Sequence, residues 1–340
     1  MKRAGLLLLG ALLSCQRAFD APSSVRSLRV LVVRMDHPIP APDTDVNLEM
    51  LWFDGSPLAK HADGTSRPVS IVWIGGCTNP AGNLYYECSD AIAPALAALR
   101  DGTPSPNVGR GTTYSLHVPR DIVSSKGSRS GRQPYGISFV LYAACAGTVV
   151  PVVPNDRSTP PLACRDEAGL PVGSDGFVFG YVPIYSYLKA SNENPTMDRL
   201  EFNEKAPSIK TCKADAECDQ GEACGSAGTC LPAVGRCQRP RDCPSYALKA
   251  IVDPSNAESD PIATLLASAP RSEQLYVEYY ASSGRVSGEV KLLVHPERGP
   301  VENVAAQWSP GPDVGETRLF AVVKDGRGGT TWTIRDVVVR

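Results

Sequence analysis

Cysteines are the residues of this 340-residue chain with the clearest chemistry: six of its eleven fall in one stretch, at Cys212, Cys218, Cys224, Cys230, Cys237 and Cys243. Asp, Gly, Pro and Lys fill the even gaps between them, with few large apolar side chains, so hydrophobic burial cannot hold the segment together. Cross-links must do so instead. Structural zinc prefers cysteine pairs two to four apart, often with histidine; this stretch has wider gaps and no histidine, so disulfides are expected and no metal. Spacing alone does not choose among the pairings. With Cys15 set aside, the other cysteines are Cys77, Cys88, Cys145 and Cys164, which makes an even ten. Local pairs Cys77–Cys88 and Cys145–Cys164 are the simplest assignment, and a cross-pairing between sheets is the alternative.

Enzymatic constellations are missing. His37, His61, His117 and His295 are too scattered for a zinc-protease helix, and Gly127–Gly131 has Arg129 where a nucleophile elbow needs serine. The glycine-rich run 326–329 sits between two expected strands, whereas a phosphate cradle needs a following helix. Asp253, Glu258, Asp260 and Asp325 lie near loops but fit no calcium motif. Formal charge is −2, or −4 without Lys2 and Arg3, and no basic patch points to nucleic acid. The expectation is a protein without catalytic activity or cofactor.

One strand carries a candidate binding face. Phe177, Phe179, Tyr181, Pro183, Tyr185 and Tyr187 alternate with Val178, Val182, Ile184 and Leu188, so five aromatics share one side. A strand in a two-layer sandwich buries one face only. The aromatic side is therefore either covered by a loop or the second domain, or open as a platform for a sugar ring, a peptide or a partner protein.

The first fifteen residues combine a basic start at Lys2-Arg3, an apolar run too short to span a bilayer, and Leu12-Leu13-Ser14-Cys15. That ending resembles the lipobox of bacterial lipoproteins, which implies lipidation of Cys15 as the first mature residue. The spacing from Cys212 through Asp215, Cys218, Gly221 and Cys224 to Cys230 resembles a cysteine-rich unit of bacterial surface lipoproteins, and implies an extracytoplasmic, disulfide-stapled knob. Together these features resemble cell-surface lipoproteins of myxobacterial type, a family whose recognition implies location and anchoring but little mechanism.

These residues need elements to hold them. Residues 16–27 read as a tether. Strands are expected at 28–35, 45–53, 69–74, 113–118, 136–144 and 177–187, with one helix at 91–99. Val72-Trp73 takes the place where immunoglobulin-type domains often bury a tryptophan. A second set of strands is expected at 199–202, 247–252, 274–281, 289–294, 304–308, 318–323 and 331–339, the last two joined by the turn at 325–329. The fold class is all-β: two immunoglobulin-like sandwiches, 28–190 and 194–340, with a disulfide-rich insertion at 210–245. A free-standing linker between domains is the competing view of that insertion.

The function expected from this is a structural or binding role in the cell envelope, at the outer membrane. Its partners would be the membrane, through the N-terminal lipid, and an envelope protein or glycan. A hydrolase with accessory sandwiches, or a subunit of an envelope complex, is the alternative.

Overall fold

In the computed structural model, residues 21–60, 65–126, 133–152, 159–239, 242–267 and 269–340 are described. Cys15, His61 and the 127–131 stretch lie outside the described residues.

The first sandwich packs a three-stranded sheet of Leu28–Met35, Asp45–Asp54 and Thr113–His117 on a four-stranded one. The latter runs in the order Val108–Arg110, Ser70–Thr78, Tyr135–Cys145 and Phe177–Tyr187. Alternating inward residues form its core: Val46, Leu48 and Met50 from one sheet meet Trp73, Val140 and Ile184 from the other. Trp73 is fully buried, and its indole N–H donates to the Gly111 carbonyl at 2.8 Å, so the polar end of the ring is satisfied.

Two disulfides depend on how these strands turn their faces. Val72 and Ile74 point outward, and a register shift between Ile74 and Cys77 follows them. Gly76 sits within it at φ +91°, a left-handed conformation that glycine adopts without strain. One extra residue changes the parity of the strand, so Cys77 also faces outward and bonds Cys88. Cys88 leads into the helix Ser89–Asp101, whose Ile92, Ala95 and Leu99 lie on one face and pack on the outer side of the four-stranded sheet. Gly102, at φ +68°, ends it by donating its N–H to Ala98. Cys145–Cys164 similarly ties the hairpin Thr148–Pro151/Leu162–Arg165 to the same outer face.

The second sandwich repeats the wiring. One sheet runs Arg199–Phe202, Tyr246–Ile251, Ala306–Ser309, Arg285–Ser287; the other contains Thr330–Val339, Gly315–Lys324, Leu275–Ala281 and Val290–His295 in spatial order. Trp308, Tyr279, Leu200 and Leu319 are fully buried between them. At the 325–329 turn, the Asp325 carboxylate accepts N–H bonds from Arg327 and Gly329.

The cysteine-rich insertion differs from a knob. Cys212–Cys224 and Cys218–Cys230 interleave, while Cys237–Cys243 closes a separate small loop. Its strand Cys230–Val234 pairs in parallel with Thr330–Val339, Ala233 opposite Val338, so the insertion extends the sheet at an edge. Covering an edge strand removes a template for unwanted pairing.

The stretch read as a tether, 16–27, is built into the fold where it is described. Ser23, Ser24 and Val25 are buried; Val25 N–H donates to the Ala281 carbonyl, and Ala281 N–H donates to the Ser23 carbonyl. Val25 joins Leu31 and Leu51 of the first sandwich and Phe320 and Val322 of the second in one apolar cluster, with Phe53, Tyr280 and Trp332 packed around it. Serines carry no apolar signal, so the sequence concealed this burial. The two sandwiches thus meet face to face, the outer side of the three-stranded sheet against the outer side of the second domain's large sheet.

Candidate functional site: an open tyrosine strip

The strand Phe177–Tyr187 lies at the edge of its sheet and pairs along its whole length with Tyr135–Cys145. Val182, Ile184 and Ser186 face the core, and the aromatic side faces outward. The helix packs over Ser70–Thr78 and Val108–Arg110, at the opposite side of the sheet, and of the hairpin only Leu162–Arg165 reaches the edge strand, so neither covers its full length. Phe177 and Phe179 are half-buried in the cluster with the helix. Tyr181 and Tyr185, farther along, are 43% and 40% exposed. The expected aromatic face therefore divides: its first half is packing and its second half is surface. The second domain does not supply the cover.

Other elements add rings that the strand pattern could not reveal. Tyr85 stacks on Tyr181 with centroids 4.2 Å apart and planes at 19°. Tyr135, on the neighbouring strand, lies 5.7 Å from Tyr185 and 5.8 Å from Tyr187. Tyr86 abuts Tyr85, and Leu84 beside them is exposed. Because Tyr85 and Tyr86 precede Cys88, the Cys77–Cys88 bridge also fixes the short segment that presents them. Its sequence signal was two tyrosines next to a bridging cysteine.

The polar groups at the strip are few. Asn83 donates to the Tyr135 hydroxyl at 2.7 Å, and the Lys126 ammonium stands 4.0 Å from the Tyr135 ring centroid. Burial, then the neighbouring tyrosines, raise the Tyr185 and Tyr187 phenols above their ordinary range, so both remain protonated donors. The strip offers aromatic faces and hydroxyls, with the charges of Arg327 and Asp260 acting on Tyr187 at one end.

The remaining candidates are committed elsewhere. All ten cysteines outside Cys15 form disulfides, so the three sulfurs of Cys212, Cys218 and Cys230 that lie together offer no thiolate to a metal. Asp253 caps its own turn through Ser255 N–H, Asp260 accepts from Ala263 N–H, and Asp325 holds the 325–329 turn. A cleft of 1030 Å³ opens where Arg26, Gly55, Gln238, Ser282 and Arg285 meet. No histidine is among its described lining residues, so its serines lack an imidazole base.

Burial also places two carboxylates beside the joint between the domains. Asp325 accepts from Asn192 of the linker at 2.7 Å, and Arg327 bonds both Glu273 and the Ser191 carbonyl. Burial first, then the charge of Asp325, push the Glu273 carboxyl up to about 7 against the pull of Arg327, and burial raises Asp325 too.

No family model and no curated protein matches the chain. Among solved structures it is similar to the fibronectin(III)-like modules of Clostridium thermocellum CbhA, at 9% identity over 91% of this chain and 93% of that one, TM-score 0.20. It is also similar to the D00–D0 domain of intimin, at 9% identity over 92% and 98%, TM-score 0.22. The assignment of two immunoglobulin-like sandwiches rests on the strand order and the two separate apolar cores.

Proposed function

We propose that this chain is an exported, lipid-anchored protein of the cell envelope with a binding role and no catalytic activity, held to the outer membrane through Cys15. The observation that carries the binding role is the tyrosine strip: an aromatic face left open on a sheet whose other apolar surfaces are covered. Five disulfides fit an oxidising, extracytoplasmic compartment, and the N-terminal fifteen residues supply an export signal with a lipidation cysteine. No helix among the described residues is long and apolar enough to cross a membrane.

Intact-mass measurement of membrane-extracted protein tests the anchor. The expected mass is that of a chain beginning at acylated Cys15, gaining two hydrogens per bridge on reduction; an unacylated chain cut elsewhere would end this part of the reading. For the strip, the double variant Tyr185→Ala/Tyr187→Ala should keep its melting temperature within a few degrees and lose binding to isolated cell envelopes. Unfolding of the variant, or binding unchanged, would remove the strip from the proposal.

A further inference from the structure

We infer that the tyrosine strip takes an extended, uncharged glycan chain, an inference that rests on the binding role proposed above. Its shape is the first reason. Tyr181, Tyr185 and Tyr187 lie along one straight edge strand, spanning about 20 Å from first to last. Tyr85 stacks on Tyr181 at one end, and Tyr135 flanks Tyr185 and Tyr187 at the other. Such a line suits a ribbon-like polymer that lays successive rings over successive aromatic groups.

Its chemistry is the second reason. Sugar rings present C–H faces to aromatic surfaces and hydroxyls at their edges. The strip offers both complements: tyrosine rings, and phenol groups that donate and accept. Asn83 adds a donor beside Tyr135, while the Lys126 ammonium is buried against the Tyr135 ring, out of a ligand's reach. Arg327 and Asp260, which both act on Tyr187, are of opposite sign, so the strip favours neither an anionic nor a cationic chain.

Area and backbone argue against the other occupants. A tyrosine presents roughly 200 Å², so at the 43% and 40% exposure of Tyr181 and Tyr185, the strip with Leu84 and its half-buried neighbours offers on the order of 400 Å². A stable protein partner or second copy needs about 800 Å² from each side. A peptide added as a further strand would need an unbroken edge, and Pro183 in the middle of this edge has no N–H to offer.

Isothermal titration of the full soluble chain, with cellohexaose and with chitohexaose as uncharged β-linked probes, tests the inference. The expected result is binding of at least one hexaose, weakened tenfold or more in Tyr181→Ala/Tyr185→Ala and kept within about threefold in Tyr185→Phe, which retains the ring. Near-ultraviolet circular dichroism and the melting temperature check that the variants fold. Failure of both hexaoses to bind at millimolar concentration, or equal binding by the alanine variant, overturns the glycan assignment. If a proline-rich peptide binds instead and is lost in the same variant, the glycan is wrong and the binding role stands. Concentration-dependent dimerisation in sedimentation, abolished by the variant, would also overturn it in favour of a second copy. If the envelope binding tested above is itself indifferent to these tyrosines, the broader role falls with it.

Discussion

The two sandwiches share the strand order of one sheet yet cover its outer face in different ways. In the first, a 13-residue helix and a hairpin from the same domain lie on it, each tied by a disulfide. In the second, the other domain is the cover: Phe320 and Val322 are fully buried against Leu31, Leu51 and Val25. A sheet with an apolar outer face must bury it against something. A neighbouring sheet spans the face it meets, whereas the helix sits over Ser70–Thr78 and Val108–Arg110 on one side of its sheet, and the tyrosine strip lies on the edge strand at the other side.

The largest expected effect breaks the non-covalent cover. Phe320→Ala removes a fully buried ring that packs edge-on against Phe53 at 5.4 Å, and should cost about 3–5 kcal/mol. Because the lost contacts lie between domains, chemical denaturation should separate into two transitions; a single transition at an unchanged midpoint would contradict the interface. A somewhat smaller effect breaks the covalent cover. Replacing Cys145 and Cys164 together by serine should cost about 2–4 kcal/mol. Here the loss should fall on the first sandwich alone, read as faster amide exchange in Tyr135–Cys145 with the second domain protected as before.

The third contrast is with pH, because the joint between domains carries carboxyls that burial raises. Glu273 titrates near 7 in the folded chain and at its ordinary 4.5 when unfolded, so between these values the folded state holds a proton that the unfolded state has released. Its contribution is complete below about pH 4.5 and is lost as pH rises through about 7, at no more than about 1.4 kcal/mol per pH unit. Denaturation of Glu273→Gln across this range should show that slope flattened; an identical slope would mean that another group is responsible.

Much of this architecture was legible beforehand because alternation within a strand is a local property. The strands at Leu28–Met35, Phe177–Tyr187 and Arg199–Phe202 stand where composition places them. Val108–Arg110 and Arg285–Ser287 did not register, since three residues are too few to show a period. The candidate site was half legible. Tyr181, Tyr185 and Tyr187 announce themselves by spacing, whereas Tyr85 and Tyr135 join them from segments far away in sequence.

By itself, then, the order of residues determined the strand sequence, the even set of cysteines and the aromatic alternation, all of which follow from neighbours along the chain. Only the tertiary structure decided which surfaces stay wet. The shift in register at Leu31 turns it and Val32 outward together to form the domain interface, and the segment with Ser23 and Ser24 becomes interior because two sheets close over it. The placement of one helix on the far strands of the sheet leaves Tyr181 and Tyr185 exposed. Burial depends on what arrives from elsewhere in the chain, and a periodic pattern records which side a residue faces but not what comes to lie against it.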